Sequence, residues 1–150
     1  MDIDLLKAGL RKQLTVEEGE RDTAYQDSRG LWTIGIGHHD STICEGMCWS
    51  PDKIEQVFSD DVENAFSEVV EHFPWALTLN EPRMAVLIEM AFQMGLHTEE
   101  EFVTFLGLMR DERWPQAAGD ILHTAWATQT PARVRRLSRQ IETGEWQVAP

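Results

Sequence analysis

Long apolar runs are missing from this 150-residue chain. The stretch from Met84 to Ile88 is stopped by Glu89, far short of the ~20 residues that cross a bilayer, so no stable membrane insertion is expected. Cysteine is scarce, with two residues, too few for a disulfide scaffold. The core must come from packing, and 42% hydrophobic residues with six Trp and six Phe supply one. Basic residues are outnumbered, 13 against 26 acidic, giving a net charge of −13. Residues 1–75 carry 6 basic and 16 acidic side chains (−10), and residues 76–150 carry 7 and 10 (−3). Nucleic acid binding needs a basic footprint, so it is excluded. No repeat, linker or low-complexity segment appears, which fits one domain over 1–150. The start, Met-Asp-Ile-Asp, has neither the basic end nor the apolar segment of a signal peptide. A substrate outside the cytoplasm would then require another route of delivery.

Cys44 and Cys48 flank Gly46 in a loop that also holds His38 and His39. Three readings stay open: a disulfide formed after export, a zinc site completed by a histidine, or two free thiols.

Ile3, Leu6, Leu10 and Leu14 repeat at helical spacing after Asp2 or Asp4 as a cap, and Gly19 closes that helix. Tyr25 to Gly30 has turn chemistry, and Leu31 to Gly37 alternates like a strand. The sheet is therefore small and confined to about 23–42. From Ser50 the chain reads as helical. Ser50-Pro51 opens a long helix running to Pro74, ~30 Å at 1.5 Å per residue and able to join two lobes. Asn80-Glu81-Pro82 opens a helix that is apolar nearly all round up to Gly95, hence the core helix. Thr98-Glu99-Glu100-Glu101 reads as a capping box for a helix through Phe102, Phe105, Leu106 and Met109. Further helices are expected over Trp114–His123 and from Thr130-Pro131 to Gly144. The fold class is α+β and mostly helical: a small α+β lobe at about 10–50, a connecting helix at about 51–72, and a helical lobe at about 73–147.

A two-lobed molecule has room for a cleft, and two carboxyls fall where one would lie. Hydrolysis of a glycosidic bond needs a proton donor on one side and a carboxylate on the other. Glu18 ends a docked helix, where the carbonyl ends disfavour negative charge. Asp27 sits in the turn nine residues on, with Thr33 just past the hairpin corner. Any acidic helix followed by a hairpin offers as much, so spacing alone does not distinguish catalytic groups from surface acids.

A resemblance narrows the choice. Glu17-Glu18-Gly19, Tyr25 to Gly30 and Trp32 to His38 resemble the N-terminal signature of the phage T4-type lysozymes (endolysins). Phe92-Gln93-Met94-Gly95, Trp114 to Ala118, and Trp126 to Arg133 with Thr143 to Trp146 are similar to that family's later helices. The resemblance implies Glu18 as catalytic acid, Asp27 as second carboxylate and Thr33 as the hydroxyl holding the attacking water. It implies Arg133 as partner of Glu18, Phe92 and Gln93 as sugar-chain contacts, and a His38–Asp61 salt bridge as a brace. For Phe92 a plain core role stays open, whereas a lone amide at Gln93 needs a partner. His39 falls on the cleft lining, where the family carries an apolar residue. No metal and no cofactor is implied.

The reaction implied is hydrolysis of the β-1,4 bond between N-acetylmuramic acid and N-acetylglucosamine in peptidoglycan, with inversion, which sets the carboxyls about 6.5–9.5 Å apart. The implied setting is a monomeric endolysin, acting on peptidoglycan glycan strands. It would wait in the host cytoplasm until a holin-type pore admits it to the periplasm and cell wall. Alternatives are a chitin or chitosan hydrolase, which would suit the acidity, a lytic transglycosylase working through one Glu, and a non-catalytic wall-binding module. The chain also departs from the family. The segment from His38 to Ser50 is short, and Phe105 and Asp120 replace small or amide residues facing substrate. The net charge is acidic, although Arg133, Arg135, Arg136 and Arg139 cluster on the last helix with only Glu142 to offset them and could meet anionic wall groups.

Overall fold

A computed structural model describes residues 1–96 and 102–147. The capping box expected at 98–101 lies outside the described residues. Helix α1 spans Ile3–Glu18, capped by Asp2, whose Oδ1 accepts from the amides of Asp4 and Leu5 at 3.0 and 3.1 Å. Its Leu6, Leu10 and Leu14 are fully buried, each contributing roughly 2 kcal/mol of transfer free energy. Gly19, at φ +75°, ends it and turns the chain into the hairpin.

The hairpin pairs β1 (Arg21–Gln26) with β2 (Trp32–Gly35) in antiparallel register, Tyr25 opposite Thr33, with an irregularity between Arg21 and Tyr25. The strand expected to reach Gly37 stops at Gly35, because Gly35 and Gly37 take φ of +67° and +70° and fold the chain back. The sheet also extends past the limits expected. It begins at Arg21, and a bridge between Thr23 and Cys48 adds the 47–49 segment as a short third edge. Ala24 N–H donates to Met47 O and Trp49 N–H to Asp22 O. Cys44 and Cys48 are exposed free thiols, so the disulfide reading is not met. Among the described residues no three His, Cys, Asp or Glu side chains are placed to hold a metal ion.

Helix α2 (Pro51–His72) starts as expected, with Ser50 Oγ accepting from Lys53 N–H at 3.2 Å and Pro51 in the first turn. At 22 residues it is about 33 Å long. Phe73, which leaves the helical region before Pro74 (φ −131°, ψ 76°), ends it, and a 3-10 turn follows over Pro74–Thr78. Helix α3 (Glu81–Met94) is buried without a break from Met84 to Met90. After it come α4 (Val103–Arg110), α5 (Trp114–Ile121), α6 (Ala125–Gln129) and α7 (Pro131–Thr143); α1, α2 and α7 pack on α3, α5 and α6 on α7, and α4 on α5. The helix expected over Trp114–His123 ends two residues early, and Thr124 recaps the chain by accepting from Ala127 N–H. Gly144, left-handed at φ +71°, stops α7.

The architecture is mostly helical α+β, with α2 linking the hairpin lobe to the helical lobe. One hydrophobic cluster runs from Leu6 through α2 and α3 to Ile141. Two buried glutamines lock α1 to α7: Gln13 Nε2 donates to Gln140 Oε1 and Gln147 O, and Gln140 Nε2 donates to Pro82 O. Phe105, which follows the apolar stripe of its helix but stands where the family faces substrate, is fully buried in this core.

Candidate active site

Three elements meet where α1 ends. Glu18 occupies the last turn, and the Gly37 bend presses against its side chain. A Cβ at Gly37 would come within 2.9 Å of Glu18 Cγ, so only glycine fits. From α7, Arg133 Nη1 donates to Glu18 Oε1 at 3.0 Å, while its Nε donates to Oε2 of Glu89 on α3 at 3.1 Å. Arg133 and Glu89 are 6% and 1% exposed, whereas the Glu18 side chain is 27% exposed. The buried end of this chain of charges is thus Glu89, and Glu18 is its outlet.

Opposite stands the hairpin turn. Asp27 Oδ1 accepts from Arg29 N–H at 2.8 Å and Leu31 N–H at 2.9 Å. Partial burial works to raise its pKa, but these two amides and the Arg29 guanidinium outweigh it and hold the carboxyl below its ordinary value. Between the two walls lies a cleft of about 640 Å³, lined on one side by Glu17, Glu18 and Arg133 and on the other by Asp27, Ser28 and Arg29. Gln93, Gln129 and Thr130 complete it.

The residues expected at the site do not all line that cleft. Thr33 is buried behind the turn, and its hydroxyl donates to Leu31 O at 3.1 Å, the carbonyl that also accepts Asp27 N–H. Gln93 reaches the cleft and finds its partner, its Oε1 accepting from Trp126 Nε1 at 2.6 Å. Phe92, half-buried, faces a second hollow of about 210 Å³ with Gly37, His38, His39 and Asp61. His38 lies between two carboxylates, Nδ1 2.7 Å from Asp61 and Nε2 2.8 Å from Asp40. Hydrogen bonding to Asp61, against partial burial and with help from Asp40, raises its pKa to about 9.

The arginine cluster on α7 divides. Arg133 turns inward, and Arg136 pairs with Glu17. Only Arg135 and Arg139 remain on the exposed face, which corrects the expectation that Glu142 alone offset the four. Sequence reasoning also missed Glu89 and Arg29. Glu89 had a signal: a single charged residue inside an otherwise apolar helix needs a buried partner. Arg29 had none beyond its place in a turn.

Comparison with known proteins identifies the family. A probable T4-type lysozyme of Dictyostelium discoideum is 29% identical, with 91% of this chain and 95% of that protein covered. A peptidoglycan hydrolase of Pseudomonas phage phiKMV is 27% identical over 89% of this chain and 15% of its own length. The endolysin of Salmonella phage P22 is 34% identical over 55% of this chain and 58% of its own. The family model described as phage lysozyme matches residues 15–141, and the chain belongs to that family of glycoside hydrolases, which carry out lysozyme-type hydrolysis of cell walls.

Proposed function

We propose that the chain cleaves the β-1,4 bond between N-acetylmuramic acid and N-acetylglucosamine of peptidoglycan, with inversion at the anomeric carbon. Glu18 protonates the departing oxygen, and Asp27 takes a proton from water attacking from the opposite face. Thr33, behind the turn, acts through Asp27 instead: its hydroxyl donates to Leu31 O, the carbonyl that also accepts Asp27 N–H, and so steadies the turn that holds the base. Gln93 and Phe92 contact the glycan on either side of Glu18. The observation that carries the reading is the pair of carboxyls on opposing walls of one cleft, each held by its own partners rather than by the other. Asp27, kept ionised by two amides, suits a base. A transglycosylase working through one Glu has no use for such a carboxylate.

The biological setting we propose is a monomeric endolysin held in the host cytoplasm until a holin-type pore opens its way to the wall. No helix of the described residues is long and apolar enough to cross a membrane. Turbidity clearing of outer-membrane-stripped Gram-negative cells tests the assignment. Glu18→Gln and Asp27→Asn should each fold and lose clearing, and clearing by both at the wild-type rate would overturn it. Purified peptidoglycan should be turned over faster than chitosan.

A further inference from the structure

Glu89 takes no part in the scheme above, yet it is the most deeply buried charged group of the protein's described residues, at 1% exposure. Its Oε2 binds Arg133, but its Oε1 and Arg133 Nη2 are buried without a hydrogen-bond partner among the described residues. Leaving polar atoms so disposed is costly unless the arrangement serves a purpose. One guanidinium faces two carboxyls from two different helices, 3.0 Å from Glu18 and 3.1 Å from Glu89.

Charge balance suggests the purpose. The reading of Glu18 as the acid, on which this inference rests, requires a form in which Glu18 carries a proton. With Glu18 neutral and no second acid beside it, Arg133, at 6% exposure, would be an uncompensated buried cation, a strongly disfavoured state. A second carboxylate on the same guanidinium removes that obstacle. We propose that Glu18 and Glu89 share one proton across Arg133, and that Glu89 is a positioning residue that supplies the counter-charge whenever Glu18 holds the proton.

The surrounding groups are consistent with this. Burial pushes the Glu89 carboxyl above its ordinary value, Arg133 pulls it down, and the charge of Glu18 raises it again, so the two carboxyls interact. Of the other charges near the cleft, Glu17 is neutralised by Arg136, and Asp27 and Arg29 form their own pair across the opening. Tyr25 donates its hydroxyl to the backbone carbonyl of Glu18 at 3.4 Å and carries Arg21 over its ring; burial, with the charges of Glu18 and Asp27, raises its pKa further from the working range.

The test is the pH profile of clearing for Glu89→Gln and Glu89→Asp. In Glu89→Gln, Arg133 is left wholly to Glu18, so the alkaline limb should move toward acid by about one pH unit, a roughly tenfold loss on that side with acid-side rates retained. Glu89→Asp keeps the charge and should keep the limb. An unmoved limb in Glu89→Gln, or an equal loss at every pH, would overturn the proposal. Should Glu89→Gln fail to fold, carboxyl carbon NMR of the wild type decides. Glu18 and Glu89 should show a common titration step, and independent midpoints would overturn it. In Glu18→Gln the Glu89 midpoint should fall, and an unmoved one counts against the coupling. Clearing by that variant at the wild-type rate would instead overturn Glu18 as the acid.

Discussion

The two walls of the cleft hold their carboxyls by opposite means. On the helical wall, Glu18 belongs to a charge chain running inward through Arg133 to Glu89. Its geometry is set by side chains from three helices and by the Gly37 bend. On the hairpin wall, Asp27 is held by the backbone of its own turn, through the amides of Arg29 and Leu31. Backbone amides can only donate, so they favour the ionised form whatever the pH does to neighbouring groups. A guanidinium shared with a second carboxyl is adjustable, because protonation of one acid is offset by the other. The proposed acid is thus held by tertiary packing and the proposed base by local sequence.

Removing either carboxyl should give the largest effect. Glu18→Gln and Asp27→Asn are each expected to lose about 100- to 10,000-fold in clearing rate, with circular dichroism unchanged. A residual rate in Asp27→Asn close to wild type would break the symmetry of the two walls. Next comes Arg133→Gln, which leaves Glu89 buried without its cation and should cost about 3–5 kcal/mol in denaturant unfolding. The comparable change on the hairpin wall, Arg29→Gln, should cost under about 1 kcal/mol, because that arginine is exposed and 3.5 Å from Asp27. Gly37→Ala adds a Cβ at φ +70° within 2.9 Å of Glu18 Cγ. A loss of about 1–3 kcal/mol is expected, with clearing falling further than stability alone explains.

A pH-dependent effect concerns the His38–Asp61 pair of the hairpin lobe. His38 has its pKa raised to about 9 from 6.5, so its contribution is fully present below about pH 6.5 and disappears as pH rises through about 9. His38→Gln should cost about 1–2 kcal/mol in mildly acidic solution, allowing for solvent screening, and almost nothing in strong alkali. Melting curves at the two pH values check it, and an equal cost at both would deny the ion pair its role.

This contrast also explains what the sequence made legible. Helix starts were readable because they rest on local chemistry: Asp2, Ser50 and Asn80 cap as their residue types suggest. Asp27 was readable for the same reason, being a turn residue bound to its own backbone. The break between α5 and α6 was not, since Ile121 is pulled into the core while Thr124 restarts the chain, a decision made by packing. Glu89 and the Glu17–Arg136 pair were missed because their partners lie on other helices. Phe105 is buried as the apolar stripe of its helix suggests, so this chain lacks the substrate contact that the family has at that position. Tertiary pairing carries the Glu18 side of the cleft, and it was the side least visible beforehand.

Stereochemistry of the product probes the opposed walls most directly. Proton NMR on freshly cleaved glycan should show new reducing ends appearing first as the α anomer, because water enters from the face opposite the departing sugar. Initial appearance of the β anomer, or of 1,6-anhydro ends, would contradict a water held by Asp27 across the cleft from Glu18.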